Sequence, residues 1–395
     1  MSKHAQANFS LISLLKYSLF FLVVTVFFQN CGSTFESTIS SGSSYQALDK
    51  PNFIKWHPGH YYTLIMPSNN KYEDSYLSRV YSELDETPSL RGVQIRYHWK
   101  DIEPEEGVYN FEKMDKHLAG LTIHKKRLVV LLQIKSFSND GTIDTAEDVV
   151  PPYVKTSTYD GGQIAFTSSL TGLPHGYLIK LWNPNIRARL DALLKVLGDR
   201  YNSHAYFEAI GFTESSSGTN LSTTQEVDYY NGLNLVNQSA RTHFPNTIVY
   251  QFTNHTRKYL GSFIMNLQNM GAALGGPDIL PTDPSLSFYD GDPKTPDGVY
   301  TYYPKLAGIV PLMPSVQPID YRYTSARTSD PGHVPTLQEL LDFAKNNLYA
   351  NYLFWTRDPE YYLKVLELLN SSEQLVKPDG GLESRCPSTF ITCVE

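Results

Sequence analysis

The sequence predicts an α/β fold, a single closed (β/α)8 TIM barrel, because short apolar runs alternate with amphipathic helical segments. A chain of 395 residues with 41% hydrophobic and 18% charged residues is long enough to bury one large core. Alternation of strand and helix implies parallel strands joined by right-handed crossovers. Eight such repeats in the region that starts at residue 53 are the number that closes this barrel.

Each predicted strand is a short apolar run between turn residues. The eight runs are 60–68, 90–99, 127–137, 206–214, 247–255, 277–281, 308–318 and 350–358. Apolar residues recur at helical spacing in the intervening segments 111–121, 186–197 and 337–344. An open doubly wound sheet is the alternative, but it would need a glycine-rich loop after the first strand. The stretch MPSNNKYED at 66–74 has no glycine.

Residues 1–30 have the pattern of a signal peptide. Basic residues precede an apolar run at 17–28 that is too short to span a bilayer comfortably. The following FFQNCGS resembles a bacterial lipoprotein processing site, which implies that Cys31 carries a lipid. Ordinary cleavage and a retained anchor are the alternatives. With residues 31–52 as a Ser-rich, lipid-attached tether, we expect a bacterial envelope protein held on the outer membrane.

The cysteine count is consistent with export. Using Cys31 for lipid leaves Cys386 and Cys393 in CPSTFITC, a short loop that an oxidising compartment closes as a disulfide. The predicted organisation is therefore a barrel domain at 53–372 and a C-terminal tail at 373–395 that contains this bridge.

Composition and missing motifs exclude several functions. A net charge of −7 without a Lys/Arg cluster argues against nucleic acid. Zinc spacing, a G-x-S-x-G elbow and a nucleotide loop are missing from the sequence, so no metal and no cofactor is expected. The acidic loop at 289–298 lacks the ligand order of a calcium site. The 28 tyrosines suit either a core or a sugar-binding cleft, and a monomer is expected.

Glu214 is the first candidate catalytic residue, because it ends the fourth predicted strand and catalytic groups of this fold lie at the carboxyl ends of strands. Residues 96–118, RYHWKDIEPEEGVYNFEKMDKHL, and residues 181–215 resemble the retaining glycoside hydrolases of the beta-galactosidase-like and cellulase-like kind. Trp355 matches the tryptophan of their eighth strand, and the resemblance covers roughly residues 58–370.

The resemblance implies that Glu214 is the acid/base and that a second glutamate ends strand seven as the nucleophile. At that place the sequence has Ser315 and Gln317, with Asp320 as the nearest carboxylate. Thr213 also replaces the usual asparagine before the acid/base. Gln317 cannot supply the second carboxylate of a two-carboxylate mechanism. Asp278 after two glycines is the best substitute.

Further candidates for binding an oligo- or polysaccharide lie at other strand ends. They are Arg96, Trp99, Gln133, Lys135, His255, Gln317 and Trp355, the last as the sugar platform. Two functions fit these residues. One is a membrane-anchored glycosidase that acts on extracellular or cell-wall carbohydrate. The other is a carbohydrate-binding pseudoenzyme that has lost its nucleophile.

Overall fold

The computed structural model describes residues 53–138, 143, 146–168, 172–287 and 297–395. The predicted signal peptide, Cys31 and the tether lie outside the described residues, as does most of the acidic loop at 289–298. Contacts divide the chain into the units Met1–Thr38 and Ile39–Glu395, and every described residue belongs to the second.

The described residues confirm the closed parallel barrel. The strands are β1 (Ile54–Lys55), β2 (Gly59–Thr63), β3 (Leu90–His98), β4 (Arg127–Gln133), β5 (Gln163–Thr167), β6 (Pro174–Ile179), β7 (Phe207–Phe212), β8 (Ile248–Phe252), β9 (Ala273–Gly276), β10 (Leu312–Val316), β11 (Tyr352–Thr356) and β12 (Cys393–Val394). The barrel order is β2-β3-β4-β7-β8-β9-β10-β11, and β11 pairs again with β2. All neighbouring barrel strands are parallel.

The helices pack outside this barrel. They are α1 (Glu73–Glu86), α2 (Trp99–Ile102), α3 (Glu112–Ile123), α4 (Pro184–Tyr201), α5 (Thr223–His243), α6 (Arg257–Asn269), α7 (Tyr303–Leu306), α8 (Leu337–Asn346) and α9 (Tyr362–Leu369). Local sequence sets their starts: Asn183 caps α4 before Pro184, and Ser222 forms a capping box with Gln225 at α5. In the part of the chain that is described, no helix combines the length and apolarity needed to cross a membrane.

Strand six is the one strand that the sequence misplaced. The predicted 277–281 follows the true strand β9, whose sequence ALGG lacks the β-branched residues typical of strands. A Cβ on Gly275 would lie 2.7 Å from the Phe252 ring, and one on Gly276 would lie 2.4 Å from the Tyr303 hydroxyl. Close packing therefore requires glycine here, and Asp278 falls just beyond the strand end instead of inside the strand.

The barrel interior is apolar and aromatic. Alternate residues of a strand face opposite sides, and one cluster collects the inward positions: Tyr61, Val129, Leu131, Tyr250, Phe252, Met313, Tyr352 and Phe354. The outward positions join a second cluster with the helices. This filled core supports the residues at the carboxyl ends of the strands.

The amino-terminal end of the barrel is closed by a buried ion pair and by the C-terminal tail. Glu208 accepts hydrogen bonds from His57 (Nδ1 to Oε2, 2.8 Å) and from the Tyr352 hydroxyl (2.7 Å). Below them, β1 pairs with β12, and Cys386 is joined to Cys393 by a disulfide. The tail is therefore packed against the barrel.

Candidate active site

Four polar side chains that the sequence singles out lie together at the carboxyl end of the barrel. Glu214 and Asp278 each follow their strand by two residues, and Gln317 directly follows β10. Arg96 lies near the end of β3. Because the strands are parallel, these ends share one face, which is where the active sites of this fold are built.

Glu214 is held in place by the strand next to its own. The Asn254 amide donates to it (Nδ2 to Oε2, 2.8 Å). The backbone N–H of Ser215 donates to Phe252 O at 2.9 Å, and the Ser215 hydroxyl donates to His255 O at 2.8 Å. Sequence reasoning missed Asn254. The position of Asn254 in the sequence could have identified it, because it follows β8 by two residues, as Glu214 follows β7 and Asp278 follows β9.

Asp278 has a different environment. It is half-buried, and its carboxyl group has no hydrogen bond or ion pair within the described residues. Burial, with the negative charge of Glu214 as the next cause, raises the pKa of Asp278 to about 8. Asp278 therefore keeps its proton at neutral pH.

Asp320 lies beneath the loops that follow β9 and β10. Its fully buried Oδ2 accepts hydrogen bonds from the backbone N–H of Ile279 (2.9 Å) and of Gln317 (2.8 Å). Burial, and then the charge of Asp278, raises the pKa of Asp320 well above its usual value. This carboxyl group fixes the backbone beside Asp278 and Gln317 and is not exposed to a substrate.

Gln317 faces Arg96 across the barrel mouth. The Arg96 guanidinium donates to Gln317 Oε1 (3.1 Å), and the Gln317 amide donates to the Ser315 hydroxyl (3.1 Å). Burial lowers the pKa of Arg96, yet the side chain is solvent-exposed. Water therefore reaches Arg96 near the carboxyl end of the barrel.

Trp355 is not a sugar platform and Trp99 does not line a sugar subsite, which corrects both sequence-based assignments. Both are 0% exposed. The Trp355 indole donates to His60 Nδ1 at 3.0 Å, and the Trp99 indole donates to Glu103 Oε2 at 2.8 Å. Side chains alternate along a strand; Phe354 therefore faces the interior and Trp355 packs outward against the helix layer.

Lys135 is also unavailable as a direct sugar ligand. It is 1% exposed, donates to Ser216 O (2.6 Å), and lies 4.8 Å and 4.4 Å from the ring centres of Phe137 and Phe166. Burial lowers the pKa of Lys135 to about 8, while the charge of Glu214 opposes that shift. Lys135 therefore positions the loop that carries Glu214.

Gln133, His175 and His255 are further polar residues at the carboxyl end of the barrel. Gln133 ends β4 and is 7% exposed. His255 and His175 are both half-buried, and burial lowers the pKa of each. His175 belongs to the β5–β6 hairpin, which sequence reasoning missed, and packs edge-on against Phe137 at 5.8 Å. The hairpin meets the end of β4 through a bridge between Lys135 and Leu178.

The stretch at 96–118 is largely structural. Glu103 is fully buried and accepts hydrogen bonds from the Trp99 indole and the Gly107 N–H (2.9 Å), and it pairs with Arg189. This network joins the segment after β3 to α4. The residues that this stretch shares with glycosidases therefore stabilise the barrel, and most of them are not placed to contact a substrate. Within the described ranges, no three His, Cys, Asp or Glu side chains are grouped to hold a metal ion.

Comparison with known proteins gives structural matches only. No family model matches the sequence, and no curated protein matches it. The catalytic domain of a beta-amylase from Paenibacillus polymyxa superposes with a TM-score of 0.52 at 9% identity, over 84% of this chain and 96% of that one. A beta-galactosidase from Bacillus circulans gives 0.49 at 9% identity, over 76% of this chain and 50% of that one.

An exo-beta-1,4-mannosidase from an Opitutaceae bacterium gives a TM-score of 0.43 at 12% identity, over 81% of this chain and 57% of that one. All three proteins are glycoside hydrolases. At sequence identities this low, the comparisons support a similarity of fold only. The conclusion rests on the beta-amylase match, whose TM-score is 0.52. The chain has a closed (β/α)8 barrel, and its fold is similar to that of the beta-amylase catalytic domain.

Proposed function

We propose that the protein is a glycoside hydrolase that cleaves an oligo- or polysaccharide by inversion. The observation that carries this proposal is the pair Glu214 and Asp278 at the barrel mouth. Glu214 accepts a hydrogen bond from the Asn254 amide, which fixes the orientation of the carboxyl group. Asp278 is held in its protonated form by its surroundings. Two carboxyl groups in different surroundings at one active-site face are the pattern of a general acid and a general base.

The roles follow from these environments. Asp278 donates its proton to the glycosidic oxygen as the bond from that oxygen to the anomeric carbon breaks. Glu214 accepts a proton from the water that attacks the same carbon from the opposite face. This assignment moves the acid role from Glu214, where the family resemblance put it, to Asp278. Gln317 cannot form the glycosyl ester of a retaining enzyme, because an amide is not an adequate nucleophile.

The test is a screen of purified protein against a polysaccharide panel, with reducing ends and bound ligand scored separately. For a substrate that is cut, NMR of the first product should show the inverted anomer. Glu214→Gln and Asp278→Asn should each abolish cleavage. Asp191→Asn is the matched control, because its partially exposed carboxylate pairs with His243 on the helix layer. A retained anomer, or a covalent adduct with an activated 2-fluoro glycoside, would refute the inverting mechanism.

A carbohydrate-binding protein without activity is the second candidate. The observation that favours it is Gln317 at the position of the expected nucleophile, with its amide engaged by Arg96 and Ser315. It predicts saturable binding of a polysaccharide in the panel and no new reducing ends. In that case Glu214→Gln would change affinity only.

We also propose that Cys31 is lipidated and that the protein is anchored in a bacterial cell envelope. The support is the short apolar run that ends at a cysteine, followed by a polar tether. Cys31→Ser should move the protein from the membrane fraction to the soluble fraction. Unchanged partitioning would show that the apolar segment itself is the anchor.

A further inference from the structure

Arg96 is an exposed positive charge near the carboxyl end of the barrel. Its one hydrogen bond in the described residues goes to the neutral amide oxygen of Gln317 (3.1 Å). No carboxylate of the described residues lies within salt-bridge distance of Arg96. A guanidinium has five N–H donors in a planar fork, so most of them remain available on the exposed side chain.

Other arginines of the barrel show the contrast. Arg357, at the end of β11, forms two hydrogen bonds with Glu83 (2.8 and 2.5 Å), and Arg189 pairs with Glu103. Both are positioned by carboxylates of the protein. Leaving a guanidinium uncompensated in a partly desolvated place is unfavourable. A ligand that supplies the missing anion therefore gains binding energy there.

The neighbouring carboxylates do not pair directly with Arg96. The charge of Glu214 opposes the lowering of the Arg96 pKa, but Glu214 forms no ion pair with Arg96 and is hydrogen-bonded to Asn254. Asp278 retains its proton at neutral pH, because burial raises its pKa to about 8. Glu147, the remaining acidic residue near Arg96, is exposed and pairs with His98 at 3.4 Å.

We propose that the sugar bound against Arg96 carries a carboxylate, so that the substrate is a uronate-containing oligo- or polysaccharide. The planar guanidinium matches a carboxylate through two parallel N–H···O bonds. Gln317 accepts a hydrogen bond from one nitrogen of the guanidinium, and the exposed side chain keeps its other N–H donors for a ligand. This inference rests on the proposed function, since it names the substrate class of the same site.

The experiment measures binding by calorimetry with full-length, detergent-solubilised Asp278→Asn protein. This background stops cleavage and keeps the charge that a protonated Asp278 has at neutral pH. The probes are oligogalacturonate, oligomannuronate, oligoguluronate and glucuronate-containing oligosaccharides, each beside its carboxyl-reduced form. At least one uronate probe should bind about tenfold more tightly than its reduced form, because a charge-assisted hydrogen bond is lost on reduction.

Two added substitutions separate charge from shape. Arg96→Gln should bring the uronate and reduced probes to within about threefold of each other. Gln317→Glu should do the same while keeping Arg96, because it gives the guanidinium an ionic partner within the protein. Arg385→Gln is the control. Arg385 pairs with Glu383, whose backbone N–H donates to Ala350 O just before β11, so this pair lies at the opposite end of the barrel. This variant should preserve the preference.

The inference is overturned if reduced probes bind as tightly as uronates, if no uronate probe binds, or if the preference survives Arg96→Gln in protein with an unchanged melting temperature. The outcome for the proposed function is distinct. Cleavage of a neutral polysaccharide with inversion would refute the uronate substrate and leave the glycosidase intact. Charge-dependent binding with no cleavage by the wild type would refute the enzyme and leave the uronate site.

Discussion

Asn254 donates its side-chain amide to Glu214 across the ends of β8 and β7, with 2.8 Å between Nδ2 and Oε2. An amide donor stabilises the ionised form of a carboxylate and fixes its orientation. The sequence resemblance to glycosidases implies an asparagine directly before this glutamate, where the present chain has Thr213. The barrel therefore supplies an amide to Glu214 from the neighbouring strand.

Replacing Asn254 with alanine should lower kcat/KM by about tenfold to a hundredfold, because a hydrogen bond to a charged group contributes about 1.5 to 3 kcal/mol. Asn254→Asp should be more damaging, since it replaces the hydrogen-bond donor with a second carboxylate that repels Glu214. Steady-state kinetics on the substrate found in the panel measures this effect. Asn370→Ala on α9's end is the control and should leave the kinetics unchanged. Equal kinetics for Asn254→Ala and the wild type would mean that Glu214 needs no orientation.

Activity should fall as the pH rises through about 8. Asp278 must be protonated to act as the acid, and burial together with the charge of Glu214 raises its pKa to about 8. The log of kcat/KM measured from pH 6 to pH 10 should decline with unit slope above the midpoint. A rate that is constant across pH 8 would show that Asp278 is not the acid.

The raised pKa of Asp278 also predicts that the folded protein becomes less stable as the pH rises. Between about pH 4 and pH 8 the folded protein keeps a proton on Asp278 that the unfolded chain releases. The free energy of unfolding should therefore decrease with rising pH over this window, and Asp278→Asn should weaken the decrease. Urea unfolding at several pH values tests it. A wild type and variant that respond identically to pH would contradict the raised pKa.

Trp355→Ala should destabilise the fold and leave sugar affinity unchanged. The indole is fully buried and bonded to His60 (3.0 Å), so its removal leaves a cavity that costs about 3 to 5 kcal/mol of unfolding free energy. Trp355→Phe should cost less. Chemical denaturation gives the stability, and calorimetry with the panel ligand gives the affinity. Weaker binding by a stably folded Trp355→Phe would restore the platform assignment.

Glu208→Gln should destabilise the closed end of the barrel. Burial opposes ionisation of Glu208, but the charge and hydrogen bond of His57 outweigh it and lower the pKa of Glu208 to about 2. The resulting stabilisation, about 3 kcal/mol, is present above the unfolded pKa of about 4.5 and lost as the pH falls through about 2. Unfolding at pH 7 should show the full loss, and the difference from wild type should shrink as the pH falls below 4. A loss independent of pH would point to packing alone.

The sequence by itself determined the barrel. Its strands and helices can be recognised from short stretches of sequence. Examples are the apolar run RLVVLLQ, which forms β4, and the apolar residues at helical spacing in α3, α4 and α8. The placement of Glu214 and Gln317 at one end follows from parallel strands, a topological rule that needs no coordinates. Asp278 joins them only because strand six ends at Gly276, which the sequence did not predict. The sequence likewise shows Gln317 at the position where the resemblance implies a strand-seven glutamate.

Tertiary structure decided which of these side chains a ligand can reach. Four candidate residues lie near the carboxyl ends of strands: Arg96, Trp99, Lys135 and Trp355. Only Arg96 is exposed, and the other three are buried. The direction of a side chain at a strand end depends on the pleat and on the loop that covers it, such as the β5–β6 hairpin over Lys135. The protonation of Asp278 depends on burial and on a charge 64 residues away in the chain, at Glu214. Burial and long-range electrostatics are properties of the folded arrangement, so no local pattern encodes them.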